Sequence, residues 1–397
     1  MAEPLREAWI TGIGIVSTLG EGPEAHWQKL SEAKPSADTA TFAPFVVHPL
    51  APLNLDLQIP KKGDQRQMEA WQRIGTYAAG LALDSAGVKG NADILTQMDM
   101  IVAAGGGERD LAVDSTILSG VRDATNPAAF LNERLMSDLR PTLFLAQLSN
   151  LLAGNISIVH GVTGSSRTFM GEESAGIDAA RIALARIQAG QSDIALVGGS
   201  YNGERQDLLM LYEFDQSALK GRYMRVWERG GQGGVAIGSL GAFLVIEARE
   251  YAEKRGAKPL AKLSAVLSDG GKRTAGSITA SLAGLWDKIK AQVTPAQAAV
   301  LSGASGGAPA TGEERAFLEA HRDLAVRATG SYLGHGAEPQ FLMNLALAAV
   351  ALGHARLFPP ADASGLEQPM NGALRQVVVT GAGHWRGEGL ALVEAAD

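Results

Sequence analysis

Two adjacent carboxylates, Glu172 and Glu173, stand directly before the small residues Ser174, Ala175 and Gly176 at the head of a helical pattern. Ile177, Ala180, Leu184 and Ile187 keep one-face helical spacing, Gly190 marks a stop, and Ile194 to Val197 is a short apolar strand running into Gly198-Gly199. A side chain on the turn before such a helix faces its positive end, a place that favours an anion or a lowered-pKa nucleophile. Here acid occupies it. The chain has no cysteine, so thiol chemistry and disulfides are excluded together. A carboxylate nucleophile would leave an acyl anhydride that hydrolyses readily. Ser174 lies near a Gly-x-Ser-x-Gly pattern, but Glu172 holds the first glycine position, which removes the sharp turn of a serine hydrolase and adds a repelling charge. Gly12-x-Gly14 lacks the third glycine and the acidic residue of a dinucleotide loop. His26, His48, His160, His321 and His354 show no metal-ligand spacing, so neither metal nor cofactor is expected.

The elements that must hold these residues read as alternating strands and helices. Ala8 to Ser17 is an apolar strand, followed by a helix carrying Trp27 and Leu30. Residues 35–64 lack periodicity and read as a surface excursion, and Arg66 to Gly87 as an amphipathic helix. Met100 to Ala104 is a strand closed by Gly105-Gly106-Gly107. Residues 108–150 follow as helices and loops, with Pro141 opening a helix through Phe144, Leu148 and Leu151. Gly154 to Val159 reads as the strand before the elbow, and His160 to Met170 as an irregular entry. Further strands are expected at Ala242 to Ile246, Leu260 to Leu267 and Val377 to Thr380, with a helix over Glu250 to Gly256. A chain of 397 residues, 46% hydrophobic and 19% charged, has material for a large core. A net charge of −7 without a basic block argues against nucleic acid. No run of 18 apolar residues suggests a membrane span, the first seven residues do not read as a secretory leader, and a cytoplasmic location is expected.

Residues 171–200 resemble the nucleophile elbow of β-ketoacyl-acyl-carrier-protein synthases, members of the thiolase-like superfamily. Aligned on Gly176, Gly190, Asp193 and Gly198-Gly199, the family's cysteine falls on Glu173. The opening strand with Thr11-Gly12-Ile13-Gly14 is similar to the family's Val-Thr-Gly-x-Gly start, and Arg225 to Glu247 to its Arg-Pro-Phe-Asp and Gly-Glu-Gly-Ala-Gly stretch. Anchored on Gly306, Gly312 and Glu313, the first family histidine falls on Ser305; the second is retained as His335, while the lysine five residues before it is Gly330. The family's Gly-Phe-Gly-Gly gating loop corresponds to Gly381, Ala382, Gly383 and His384, without its phenylalanine.

The resemblance implies an α/β, five-layered αβαβα fold of two topologically similar halves, 1–248 and 249–397, with dimerisation and pocket insertions in 108–150. Claisen condensation needs a thiolate and two imidazoles. With Glu173, Ser305 and Gly330 at three of the catalytic positions, no independent condensing activity is expected. His335 is expected to hydrogen-bond or pair with Glu173. The implied role is that of a chain length factor: a non-catalytic subunit that pairs with an active ketosynthase, shapes its acyl pocket and meets an acyl carrier protein. The alternatives are a malonyl-carrier-protein decarboxylase and a homodimeric scaffold for acyl chains or carrier protein.

Overall fold

The computed structural model describes residues 5–138 and 147–396. Its ten longer strands are β1 (Ala8–Ser17), β2 (Asp99–Ala103), β3 (Ser166–Phe169), β4 (Ile194–Tyr201), β5 (Leu240–Ala248), β6 (Ala261–Asp269), β7 (Ala298–Ser302), β8 (Ala325–Ala328), β9 (Gln376–Ala382) and β10 (Glu388–Glu394). The first five lie in the order β3-β2-β4-β5-β1 and the last five in the order β8-β7-β9-β10-β6. In each set the first three strands of that order are parallel, and the last two join antiparallel. The two sets therefore repeat one topology. They meet where Trp9 and Ile10 of β1 pair antiparallel with Lys262 and Ala261 of β6.

Three apolar clusters stack the layers. The inner one joins facing residues of both strand sets to the helices Glu172–Gln188 and Gln340–Gly353. The second covers the outer face of the first set with Ala70–Ser85 and Leu151–His160, and the third covers the second set with Ser277–Ile289 and Ala310–Glu319. The result is helix, sheet, helix, sheet, helix, the expected five-layered fold. Strands buried on both faces read as continuous apolar runs, as β5 does. A Cβ on Gly14 would lie 2.0 Å from the Ala78 carbonyl, and on Gly12 2.5 Å from that of Ala82. These glycines let the Ala70–Ser85 helix press onto β1.

Several expectations change. Gly154 to Val159 is not a strand: it belongs to the helix Leu151–His160, which ends at Gly161 in a left-handed conformation (φ +78°). Its short apolar run is compatible with either state, and packing against the Ala70–Ser85 helix decides for helix. The strand before the elbow is instead β3, inside the stretch read as irregular. The helix expected over Arg66 to Gly87 breaks at Met68, which is extended, and restarts with Glu69 and Gln72 forming a capping box. The excursion at 35–64 is not wholly superficial, because buried Val47 and His48 pair with Ile237 and Gly238. Residues 108–138 carry the helices Leu111–Asp123 and Pro127–Ser137; Pro141 and Phe144 lie outside the described residues.

Candidate functional site

The elbow is built on a strained turn. Gly171 has φ +119° and Glu172 φ +46°, so a non-glycine residue is held in the left-handed region. Ser174 Oγ donates to the Gly171 carbonyl at 2.7 Å, and Glu172 pairs at 3.0 Å with Arg386. This turn aims Glu173 into the protein. Glu173 is only 3% exposed. His335 Nε2 donates to its Oε1 at 2.6 Å, and the His384 backbone N–H donates to the same oxygen at 3.2 Å. Two donors thus converge on one oxygen, the arrangement that stabilises an anion. Burial pushes the Glu173 carboxyl upward, but the bond and charge of His335 and the backbone N–H groups outweigh it and hold it below the ordinary carboxylate range. The other oxygen, Oε2, is buried without a protein partner, as is His335 Nδ1.

Of the remaining sequence-predicted positions, His384 meets this pair directly, and Ser305 and Gly330 lie on turns bound to other segments. His335 is fixed through its backbone: its N–H donates to the Ala236 carbonyl, and its carbonyl accepts from Gly238. Ser305 is buried, its hydroxyl accepts from the Gly307 N–H at 3.1 Å, and its carbonyl accepts from Arg229 Nη1 at 3.0 Å. It is spent on the shape of its own turn. A Cβ on Gly330 would lie 2.9 Å from the Ala304 carbonyl and 3.3 Å from Val226, so a lysine stem there requires the neighbouring turn to move. His384 is brought directly to Glu173 by its backbone, and its ring reaches the other way, Nε2 donating to Asp215 at 2.8 Å. Its ring also stands edge-on to Trp385, with 4.7 Å between centroids.

The loop over the site is tied down by a residue that sequence reasoning did not single out. Arg273 donates to the Gly383 carbonyl at 2.7 Å and the Trp385 carbonyl at 3.2 Å, and it pairs with Glu388. With Arg386 on Glu172 and His384 on Glu173 and Asp215, the turn after Ala382 is fastened from several sides. Arg229, which the sequence offers only as part of the Arg225 to Glu247 resemblance, is a second. It is buried, and its guanidinium donates to the carbonyls of Met224, Gly234 and Ser305; burial pulls it down to about 10. Glu338, three residues after His335, is a third. No spacing rule signals any of these: Arg273 and Glu338 meet segments remote in sequence, and Arg229 joins carbonyls five residues to either side of it to that of Ser305.

On the far side of the Ser305 turn lies a cavity of about 560 Å³, walled by Val226, Trp227, Gly306, Gly307, Pro309 and Arg315. Gly307 separates it from His384: a Cβ there would sit 2.7 Å from His384 Nδ1. Among the described residues no group of three or more acidic or histidine side chains is placed to hold a metal, and no helix is long and apolar enough to cross a membrane.

The family model of the β-ketoacyl synthase N-terminal domain matches residues 6–250. The chain belongs to the β-ketoacyl synthase family. The 3-oxoacyl-[acyl-carrier-protein] synthase 2 of Vibrio harveyi is 24% identical over 274 residues, covering 65% of this chain and 61% of that protein. The corresponding synthase of Rhizobium meliloti is 25% identical over 280 residues, covering 65% and 63%. The chain thus spans less than two thirds of the length of these curated relatives. The ishigamide ketosynthase/chain length factor structure superposes with a TM-score of 0.81 at 19% identity, covering 99% of this chain and 100% of that one. A type II polyketide acyl-carrier protein in complex with its ketosynthase, bound to the hexaketide, gives 0.75 at 17% identity, with 99% and 100% covered. At these identities the superpositions establish the thiolase-like fold alone.

Proposed function

We propose that this β-ketoacyl synthase family member is a non-catalytic subunit of the chain length factor kind. It pairs with an active ketosynthase, shapes that enzyme's acyl pocket and meets an acyl carrier protein. In this reading 1–248 and 249–397 are its two halves, Glu173 stands at the nucleophile position, Ser305 at the first histidine, Gly330 at the lysine, and Gly381 to His384 form the degenerate gate.

The observation that carries the reading is the state of the elbow. A covalent acyl carrier needs a free, accessible nucleophile. Glu173 is instead buried and held at one oxygen by His335 and the His384 N–H, beneath a loop fastened by Arg273. Such a carboxylate completes a fold; it does not turn over.

The surface supports the partner. Strand β3 ends the first strand set and has no neighbour on its outer side among the described strands, so its backbone offers a template for another chain. Met170, directly after it, is exposed, as are Ile158 on the helix Leu151–His160 and Leu118, Met136 and Phe214. The neighbouring ishigamide structure is itself a ketosynthase/chain length factor, and the hexaketide structure contains an acyl-carrier protein.

The test is co-expression with a ketosynthase from the same gene neighbourhood, followed by mass determination and a condensation assay. A one-to-one heterodimer whose activity vanishes when the partner's cysteine is replaced supports the proposal. A stable homodimer that ignores the ketosynthase overturns it. Carbon dioxide release from malonyl-carrier protein by the isolated chain would then assign a decarboxylase, and its absence a scaffold.

A further inference from the structure

A second buried carboxylate lies close by and is not used by the elbow. Glu338 precedes the helix Gln340–Gly353, and its backbone carbonyl packs so tightly on the elbow helix that a Cβ on Gly176 would meet it at 2.2 Å. It is 6% exposed, and Oε2 has no protein partner. Its carboxyl lines a small cavity of about 60 Å³, walled by Trp71, Gly105, Gly106, Tyr201 and Leu208. That is room for roughly two water-sized groups. Gly105 opens the space: a Cβ there would lie 2.4 Å from Glu338 Oε1.

A second cavity adjoins it. Asn202 and Arg205 line both the inner cavity and this outer one of about 380 Å³. The outer space is faced by five carboxylates, Glu69, Glu108, Asp110, Glu204 and Asp207, against the two guanidiniums of Arg109 and Arg205. Arg205 is engaged by Asp207 and the Gly107 carbonyl, and Arg109 by Asp114. The carboxylates outnumber the guanidiniums, although Glu108 accepts from the Trp71 backbone N–H and Asn202, Glu204 from the Leu50 N–H and Ser239, Asp110 from the Val113 N–H, and Asp207 pairs with Arg205. An acidic vestibule thus adjoins an unpartnered buried carboxylate between aromatic walls. Such a lining concentrates cations and repels anions, and a carboxylate beside indole and phenol rings is a seat for an ammonium head.

We infer that this pair of cavities binds a short aliphatic diamine, one ammonium seated on Glu338 and the other among the vestibule carboxylates. The inner space admits an ammonium and little more, so the carbon chain must leave past Asn202 and Arg205. Burial first, then the charges of Glu173 and Glu172, push the Glu338 carboxyl up to about 7, with Arg205 opposing. An arriving cation relieves that unfavourable charge. The site is separate from the elbow, so its failure leaves the proposed subunit role standing.

The experiment is calorimetric titration of the full chain, in phosphate at low salt, with 1,4-diaminobutane, butylamine and 1,4-butanediol. Saturable binding of the diamine is expected, at least tenfold tighter than either other compound. Glu338→Gln, which keeps shape and removes charge, is expected to weaken diamine binding at least tenfold, with the circular dichroism spectrum unchanged. Absence of saturable diamine binding to the natural chain overturns the assignment. So does binding of the diol as tight as the diamine, or diamine binding unchanged in Glu338→Gln.

Discussion

Replacing Glu338 with glutamine should stabilise the protein in alkaline but not in acidic solution. The carboxyl is buried with Glu173 and Glu172 nearby, and is raised from its ordinary 4.5 to about 7. A carboxyl that binds its proton more tightly folded than unfolded favours the folded state fully below the unfolded pKa. That advantage is lost as the pH rises through the folded value. Between 4.5 and about 7, at 1.36 kcal/mol per tenfold, the natural chain loses about 3 kcal/mol relative to a residue that does not titrate. Glutamine fills the same space, so its packing contribution should be similar at both ends of the range. The assay is urea unfolding of both proteins at pH 5 and pH 8, in phosphate and free of amines. Glu338→Gln should gain about 2–3 kcal/mol relative to the natural chain between the two conditions. Taking the difference between variants removes the response of every other titrating group that the substitution leaves alone. An equal difference at both pH values would refute the reasoning, since Glu338 would then carry no unfavourable buried charge.

The elbow, loop and edge make their own predictions. Glu173→Ala strips His335 Nε2 of its partner inside the protein and should cost about 3–5 kcal/mol in urea unfolding, whereas Glu173→Gln keeps an acceptor and should cost less than half of that. Arg273→Ala should loosen the turn after Ala382, seen as faster amide hydrogen exchange over residues 383–387 with the core unchanged; unchanged exchange there would show that the loop does not depend on the tether. Ile158→Glu combined with Met170→Glu should abolish ketosynthase pairing in co-purification while leaving the thermal midpoint within a few degrees, because both side chains are exposed.

Much of the architecture was legible in the chain. Ala8–Ser17 and the elbow helix with its following strand stand out because strong apolar periodicity coincides with glycine punctuation. The absence of cysteine and the carboxylate at the elbow were equally plain, and residue type alone rules out thiol chemistry. Gly154 to Val159 reads as a strand from sequence because so short a run, with three branched apolar residues, fits a strand as well as a helix, and only the facing helix decides between them. That His335 pairs with Glu173 was foreseeable from two short motifs, although the second donor was not. The His384 N–H reaches Glu173 from 211 residues away, a distance in sequence that carries no local signal. Arg273, Asp215 and Glu338 are ordinary charged residues in the sequence and acquire their roles only when turns distant in the chain converge on the ends of the two central helices. Sequence determined which chemistry is impossible here, because chemistry follows from residue type. Tertiary structure decided which charges are buried, paired or left waiting for a partner, because the cost of a charge depends on what surrounds it.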